Sequence, residues 1–314
     1  MAVLRPLLHF LAWVACLWCI AFGVQAAGVV VVLSESSAGY VQVRDAVVAE
    51  LERAAVPTSD LRVVLATDLG AMDNAAAEQP RLWLTLGGEA LTRVLARGPR
   101  VPVIAALIPR VGFERILAQA PRKVSQLVSA LYLDQPFGRR LNLLRMVLPS
   151  SRRVGVLWGP ESVALQRSFT TALQTHGFEP VYGMVATESE LFSGLKQALD
   201  DVDVLLAVAD PLVFNSATVS NILLATYRSK IPVFAFSPAY VKAGALLSLY
   251  STPSQMGVQA AAMVRMVLQG SAVPPSQYPS EYVVGVNDYV ARSLGLVLDG
   301  VALSDRLHRT EKLP

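Results

Sequence analysis

Short apolar runs with almost no polar interruption recur along this chain, and each is followed by a segment of helical period. Val29 to Leu33 (VVVVL), Leu82 to Leu86, Val128 to Tyr132 and Val154 to Trp158 are such runs. A strand with one face in water alternates apolar and polar residues, whereas a run without alternation is buried on both faces. Strands of that kind pair in parallel, because the crossover helices that join them also cover both sides of the sheet. The segment after the first run fits this reading. Tyr40, Val43, Val47, Val48, Leu51 and Ala55 recur at three and four residues, one face of a helix that Pro57 ends.

The alternation continues through strands predicted at 61–66, 82–86, 101–107 and 128–132, then starts again. Pro136 sits at a helix start, and Phe137, Leu141, Leu144 and Leu148 form that helix's apolar stripe. Strands follow at 154–158, 181–185, 202–209, 231–236, 246–250 and 282–286. Thr187-Glu188-Ser189-Glu190 reads as a capping box, residues 215–229 as a helix, and Thr252-Pro253 as a helix start. Two sets of about five strands suit two doubly wound lobes better than one sheet of ten. The predicted fold class is therefore α/β, two doubly wound parallel-sheet lobes with a ligand cleft between them. A chain of 314 residues has the length for two such domains.

Residues 1–27 read as a cleaved export signal. Arg5 precedes an apolar stretch from Leu7 to Val24, and Gln25-Ala26-Ala27 supplies small residues for a cut. An uncleaved anchor and lipidation at Cys16 are the alternatives. Both cysteines, Cys16 and Cys19, lie in this stretch, so the remainder has no thiol to oxidise, as suits a periplasmic location.

Composition and motifs remove several function classes. Charged residues make up 16% of the chain and the net charge is +3, dispersed, so no nucleic-acid partner is expected. Arg139-Arg140 and Arg152-Arg153 flank one helix and read as solvent-face residues, against the alternative of a phosphate-binding patch. No nucleotide-cradling glycine loop and no nucleophile elbow occurs. Three histidines, one of them in the signal, leave His176 and His308 for catalysis or metal binding. His176 reads as a helix terminus, so no catalytic residue, metal or cofactor is assigned. A sugar hydrolase or transferase built on two carboxylates stays open as a rival.

The loops after the strands carry the functional signal, because ligands of such sheets bind beyond the carboxyl ends of the strands. In the first lobe these are Ser36 and Ser37, then Gly88, Glu89 and Ala90, then Pro109. In the second they are Pro160 and Glu161, Asp210, and Ser237 with Tyr240. Taken singly, each has a turn or cap to make. Together they offer hydroxyls, helix-start N–H groups and carboxylates to a small polar or zwitterionic ligand. Trp158, Phe236 and Tyr240 are possible apolar walls, core packing being the other reading of Trp158 and Phe236.

Ala130 to Pro160 (ALYLDQPFGRRLNLLRMVLPSSRRVGVLWGP), LLAVADPLVFN from Leu205, IPVFAFSPAYVKAGALLSLY from Ile231 and the final VVGVNDYVARSLGL carry a resemblance. The chain resembles the substrate-binding proteins of ABC transporters with the type I periplasmic-binding-protein fold, and most the branch that includes aromatic-amino-acid binders. The resemblance implies two lobes joined by three crossings, capture of a small solute and delivery to a membrane permease. It places residues 28–134 plus about 251–275 in the first lobe, and 135–250 plus about 276–314 in the second. It implies ligand contacts from Ser36, Ser37 and Gly88 to Ala90 in the first lobe, and from Asp210 and Asn215 in the second. A monomer is expected. A periplasmic sensor or envelope-assembly module with the same fold is the rival outside transport. Where the branch carries Gly-Thr after strand three, this chain has Gly87-Gly88-Glu89, and Ile108-Pro109-Arg110 replaces an Asp-Pro loop. Both changes point away from an aromatic amino acid as the ligand.

Overall fold

The computed structural model describes residues 28–74 and 80–311, so the expected export signal lies outside the described residues. Two sheets organise the chain. The first contains β1 (Val29–Leu33), β2 (Leu61–Leu65), β3 (Leu82–Leu86), β4 (Val103–Ile108) and β5 (Val128–Tyr132), in the order β2-β1-β3-β4-β5 and all parallel. The unbroken VVVVL run has the burial its pattern predicts. Val29, Val31 and Leu33 pack on one side against α1 (Ala38–Arg53) and α10 (Pro253–Leu268). Val30 and Val32 pack on the other against Ala90, Leu91 and Val94 of α2 (Gly88–Ala96). Each valine buried this way contributes about 1.5–3 kcal/mol, which is why the sheet is covered on both faces.

The second sheet has the order β11-β10-β9-β8-β6-β7, with β6 (Arg153–Trp158), β7 (Glu179–Met184), β8 (Val204–Leu206), β9 (Val233–Ala235), β10 (Leu247–Tyr250) and β11 (Val283–Val286). One strand departs from the predicted parallel pattern: β11 runs antiparallel to β10, with Tyr250 opposite Val283. The chain leaves this lobe at the end of β10, builds α10 on the first lobe, and returns at that same end. The returning strand can only run backwards. On its way back, Gln277 bridges Leu131 at the edge of the first sheet and the Ser276 hydroxyl accepts the Ala130 N–H at 3.0 Å.

Three local readings need correction. No cap bond forms at Thr187 as predicted: its hydroxyl donates to Glu190, whose carboxylate reaches back to the Ala186 N–H at 3.0 Å. The helix predicted from residue 215 begins later, as α8 (Val219–Arg228), because Asn215 Oδ1 takes the Ala217 and Thr218 N–H groups and closes a turn first. Arg139 and Arg140 are not on a solvent face: both lie in α5 (Phe137–Val147), Arg140 buried and Arg139 nearly so. Thr252 does form a full capping box with Gln255.

Helix and sheet in the second lobe approach closely at Gly155, where a Cβ would stand 2.2 Å from the Ala198 carbonyl oxygen at the end of α7 (Leu191–Ala198). Gly155→Ala must push helix from sheet, and overpacking of this kind costs about 1–3 kcal/mol. The expected result is a melting temperature lowered by several degrees in calorimetry. An unchanged melting temperature would show that this layer dilates freely.

Candidate functional site

The carboxyl ends of both sheets face one cleft of about 700 Å³. Chain reversal at each strand end places residues there: Tyr40, Gly88 and Ile108 to Arg110 from the first lobe, and Glu161, Val208 to Pro211 and Phe236 to Pro238 from the second. Behind it run the crossings between lobes, which contribute Leu133 to Gln135, Tyr250, Ser251 and Tyr278. Most of the lining is apolar or aromatic, including Ile116, Phe137, Leu165, Phe214 and Leu249. A deep apolar cavity with few polar groups is the usual form of a small-molecule site.

Of the residues singled out by sequence, Gly88, Pro109, Glu161, Asp210 and Ser237 line this cleft. Ser36, Ser37, Glu89, Ala90, Pro160, Asn215 and Tyr240 are not among its lining. Each of those has another task or setting. Ser37 donates to Glu35 at 2.6 Å, and Ser36 is exposed beside it. Glu89 turns to Arg93 one helical turn on, so the carboxylate that distinguishes Gly87-Gly88-Glu89 is spent on the helix surface. Ala90 is fully buried, and its N–H donates to the Ser34 hydroxyl at 2.9 Å. Pro160 is exposed. Tyr240 stands behind the wall, its ring 5.1 Å from Phe236 and 6.1 Å from Phe214. Phe236 faces the cleft, whereas Trp158 is core, packed edge-on to Phe169.

Asp210 lies at the cleft yet is 2% exposed, and its carboxylate is occupied. Oδ2 accepts the Glu161 and Ser162 N–H groups at 3.1 and 2.8 Å, and Oδ1 accepts those of Leu212 and Val213 at 3.0 and 3.4 Å. The Gly159-Pro160-Glu161 loop is thereby tied to the Asp210-Pro211 turn. Position 159 has to be glycine, because a Cβ there would lie 2.3 Å from Asp210 Oδ1.

The charged residues of the lining that the sequence reading did not assign to the site are Arg110, Arg115, Asp134 and Arg140, of which Arg140 had entered only in the alternative of a phosphate-binding patch. Arg115, in α3 (Arg110–Ala118) of the first lobe, pairs with Glu161 of the second at 2.9 Å, so this bond spans the mouth of the cleft. Both partners are well exposed, and such pairs contribute only about 0–1 kcal/mol. Asp134 accepts the Arg110 N–H at the start of α3. Desolvation raises its carboxyl above the ordinary range, against the pull of that N–H and of the Arg140 charge. Burial lowers the Arg140 guanidinium to about 10, with the Asp134 charge opposing the shift. Arg140 was visible in principle: it stands three residues after Phe137 and four before Leu144, on the apolar stripe itself.

A family described as ABC transporter substrate binding protein matches residues 69–300. The ligand-free, open form of a substrate-binding protein with adhesive properties from Clostridium difficile is 18% identical, with a TM-score of 0.69 over 86% of this chain and 95% of that one. An ABC domain in complex with L-Trp from Streptococcus pneumonia is 18% identical, with a TM-score of 0.63 over 89% and 98%. These likenesses show a shared type I periplasmic-binding-protein fold. A tyrosine-binding protein of Clostridioides difficile (strain R20291) is 22% identical over 179 residues, 55% of this chain. The match spans half the length of that relative.

Proposed function

We propose, because this chain belongs to the ABC transporter substrate-binding protein family, that it captures a small solute between its lobes and delivers it to a membrane permease. The observation that carries this reading is the cleft itself: about 700 Å³, walled by strand ends of both lobes and backed by the chain crossings on which the lobes can turn. Its three lining carboxylates are each engaged, Asp210 and Asp134 by backbone N–H groups and Glu161 by Arg115. That arrangement favours holding a ligand over general acid–base work. The apolar and aromatic lining favours a solute with an apolar body and a polar head, an amino acid or short acid before a sugar. Of the two loops that pointed away from an aromatic ligand, the first has no bearing on it, since Glu89 is turned from the cleft, whereas Ile108-Pro109-Arg110 does line it. The same reading places the protein in the periplasm, supported by the leader-like residues from Arg5 to Ala27.

A thermal-shift screen of the purified protein against amino acids, sugars, nucleosides and short acids tests this. A ligand at 100 times its dissociation constant stabilises by about 2.7 kcal/mol. Small-angle scattering with that ligand is expected to show a smaller radius of gyration as the lobes close. No stabilisation by any class would remove the solute-binding reading, and binding without contraction would make the protein a fixed scaffold.

A further inference from the structure

Among the described residues, Arg140 is the one cationic group of the cleft without an ion-pair partner or a full set of hydrogen bonds. It lies on the buried face of α5 and is 5% exposed. A guanidinium offers five N–H donors. Among the described residues Nη2 alone has an acceptor, the Ala207 carbonyl at 2.5 Å, and Nε is buried with no partner. No ion pair forms to it among the described residues. Asp134 acts on it only through the longer-range charge interaction, and Asp210 and Glu161 are turned to other partners. One side of the guanidinium lies over the Phe234 ring, 5.2 Å from its centre, and the side chain lines the cleft. A buried cation held this way is costly unless an anion comes to it.

We infer that Arg140 anchors a carboxylate on the ligand, an inference that rests on the reading of this cleft as a solute site. The planar fork suits two carboxylate oxygens, and the low-dielectric floor strengthens the bond. A phosphate fits less well. The neighbouring arginines are already neutralised, Arg110 by Glu114 and Arg115 by Glu161, so a second negative charge meets no free cation and faces Asp134.

The test is a matched series, titrated calorimetrically into wild type, Arg140→Met and Arg140→Lys. L-Tryptophan, indole-3-propionate and tryptamine share a ring and differ in carboxylate and amine. L-Leucine, 4-methylpentanoate and isoamylamine do the same for an aliphatic body, and ribose and glucose supply neutral solutes. Wild type is expected to bind carboxylate-bearing members of at least one set. Arg140→Met should weaken them tenfold or more, with Arg140→Lys between, since lysine keeps the charge and loses the fork. Arg140→Met removes a buried cation but also the donor to the Ala207 carbonyl, so its melting temperature is expected to stay within a few degrees of wild type. If it fails to fold, Arg140→Gln, which can still donate to Ala207, takes its place. Equal carboxylate affinity in the variant overturns the inference. Preference of wild type for the amines or the sugars does so too, while leaving solute binding intact. If no member binds wild type while the broader screen finds a ligand without a carboxylate, the inference falls and solute binding stands.

Discussion

Asp210→Ala is expected to lower the stability of the second lobe by about 3 kcal/mol or more, and Asp210→Asn by about 2 kcal/mol. The reason is the number of bonds on one carboxylate. Four backbone N–H groups, from Glu161, Ser162, Leu212 and Val213, converge on its two oxygens. Alanine orphans all four, and each buried donor left unpaired costs about 1–3 kcal/mol where water does not replace the partner. Asparagine is the more telling change. At an ordinary helix cap Asn serves about as well as Asp, because one oxygen does the capping. Here both oxygens are used, so the Asn amide would direct its own hydrogens at two N–H donors. Gly159 closes the remaining side, leaving no room to swing away. Urea denaturation gives the difference, and titration of an identified ligand gives its consequence, since the tied loops both line the cleft. An Asn variant as stable as wild type would return Asp210 to the role of a simple cap.

Arg139→Ala is expected to cost about 3 kcal/mol and to loosen all three crossings between the lobes. Arg139 donates through Nη1 to Gln135 Oε1 at 2.6 Å and to the Pro279 carbonyl at 2.7 Å. Through Nε it pairs with Glu311 of α12 (Gly300–Glu311) at 2.5 Å. Its guanidinium also covers the Tyr282 ring at 4.3 Å, and Tyr282 donates to Glu311 at 3.0 Å. Burial, then the charge of Glu311, pushes the Tyr282 hydroxyl well above its ordinary range. The chain of bonds extends further: Gln135 donates to Ser251 at 2.9 Å, and Ser251 to the Glu281 carbonyl at 2.6 Å. One side chain thus holds residues of the first, second and third crossings in register with the last helix. Hydrogen bonds to charged groups contribute about 1.5–3 kcal/mol each, and Arg139 is only 10% exposed. Calorimetric melting gives the loss, and hydrogen exchange is expected to accelerate at 133–136, 251–252 and 277–281 together. Acceleration at one crossing alone would show that the crossings are independent.

The layered architecture follows from patterns along the chain. Runs such as VVVVL leave no face for water, so they must be buried on both sides, and the three-four spacing of Tyr40 to Ala55 marks a helix that covers one of them. Local chemistry likewise marked Thr252-Pro253 as a helix start, and its capping box formed, whereas the similar pattern at Thr187 did not close. The five strand-end residues that reach the cleft were legible because topology alone sends strand ends there. Which polar group faces which emerges only once the lobes are packed. Ser34 caps the helix after a different strand, at Ala90, and Asp203 accepts the N–H groups of Arg152 and Arg153 some fifty residues away in the chain. The fate of Arg139 and Arg140 turns on the same fact. Periodicity places Arg140 inward, but only the packed lobes show that one arginine joins three crossings to the last helix while its neighbour lines the cleft with no ion-pair partner among the described residues. Hydrophobic burial follows from a residue's own pattern along the chain, whereas a hydrogen bond or an ion pair depends on a partner whose distance in sequence carries no signal.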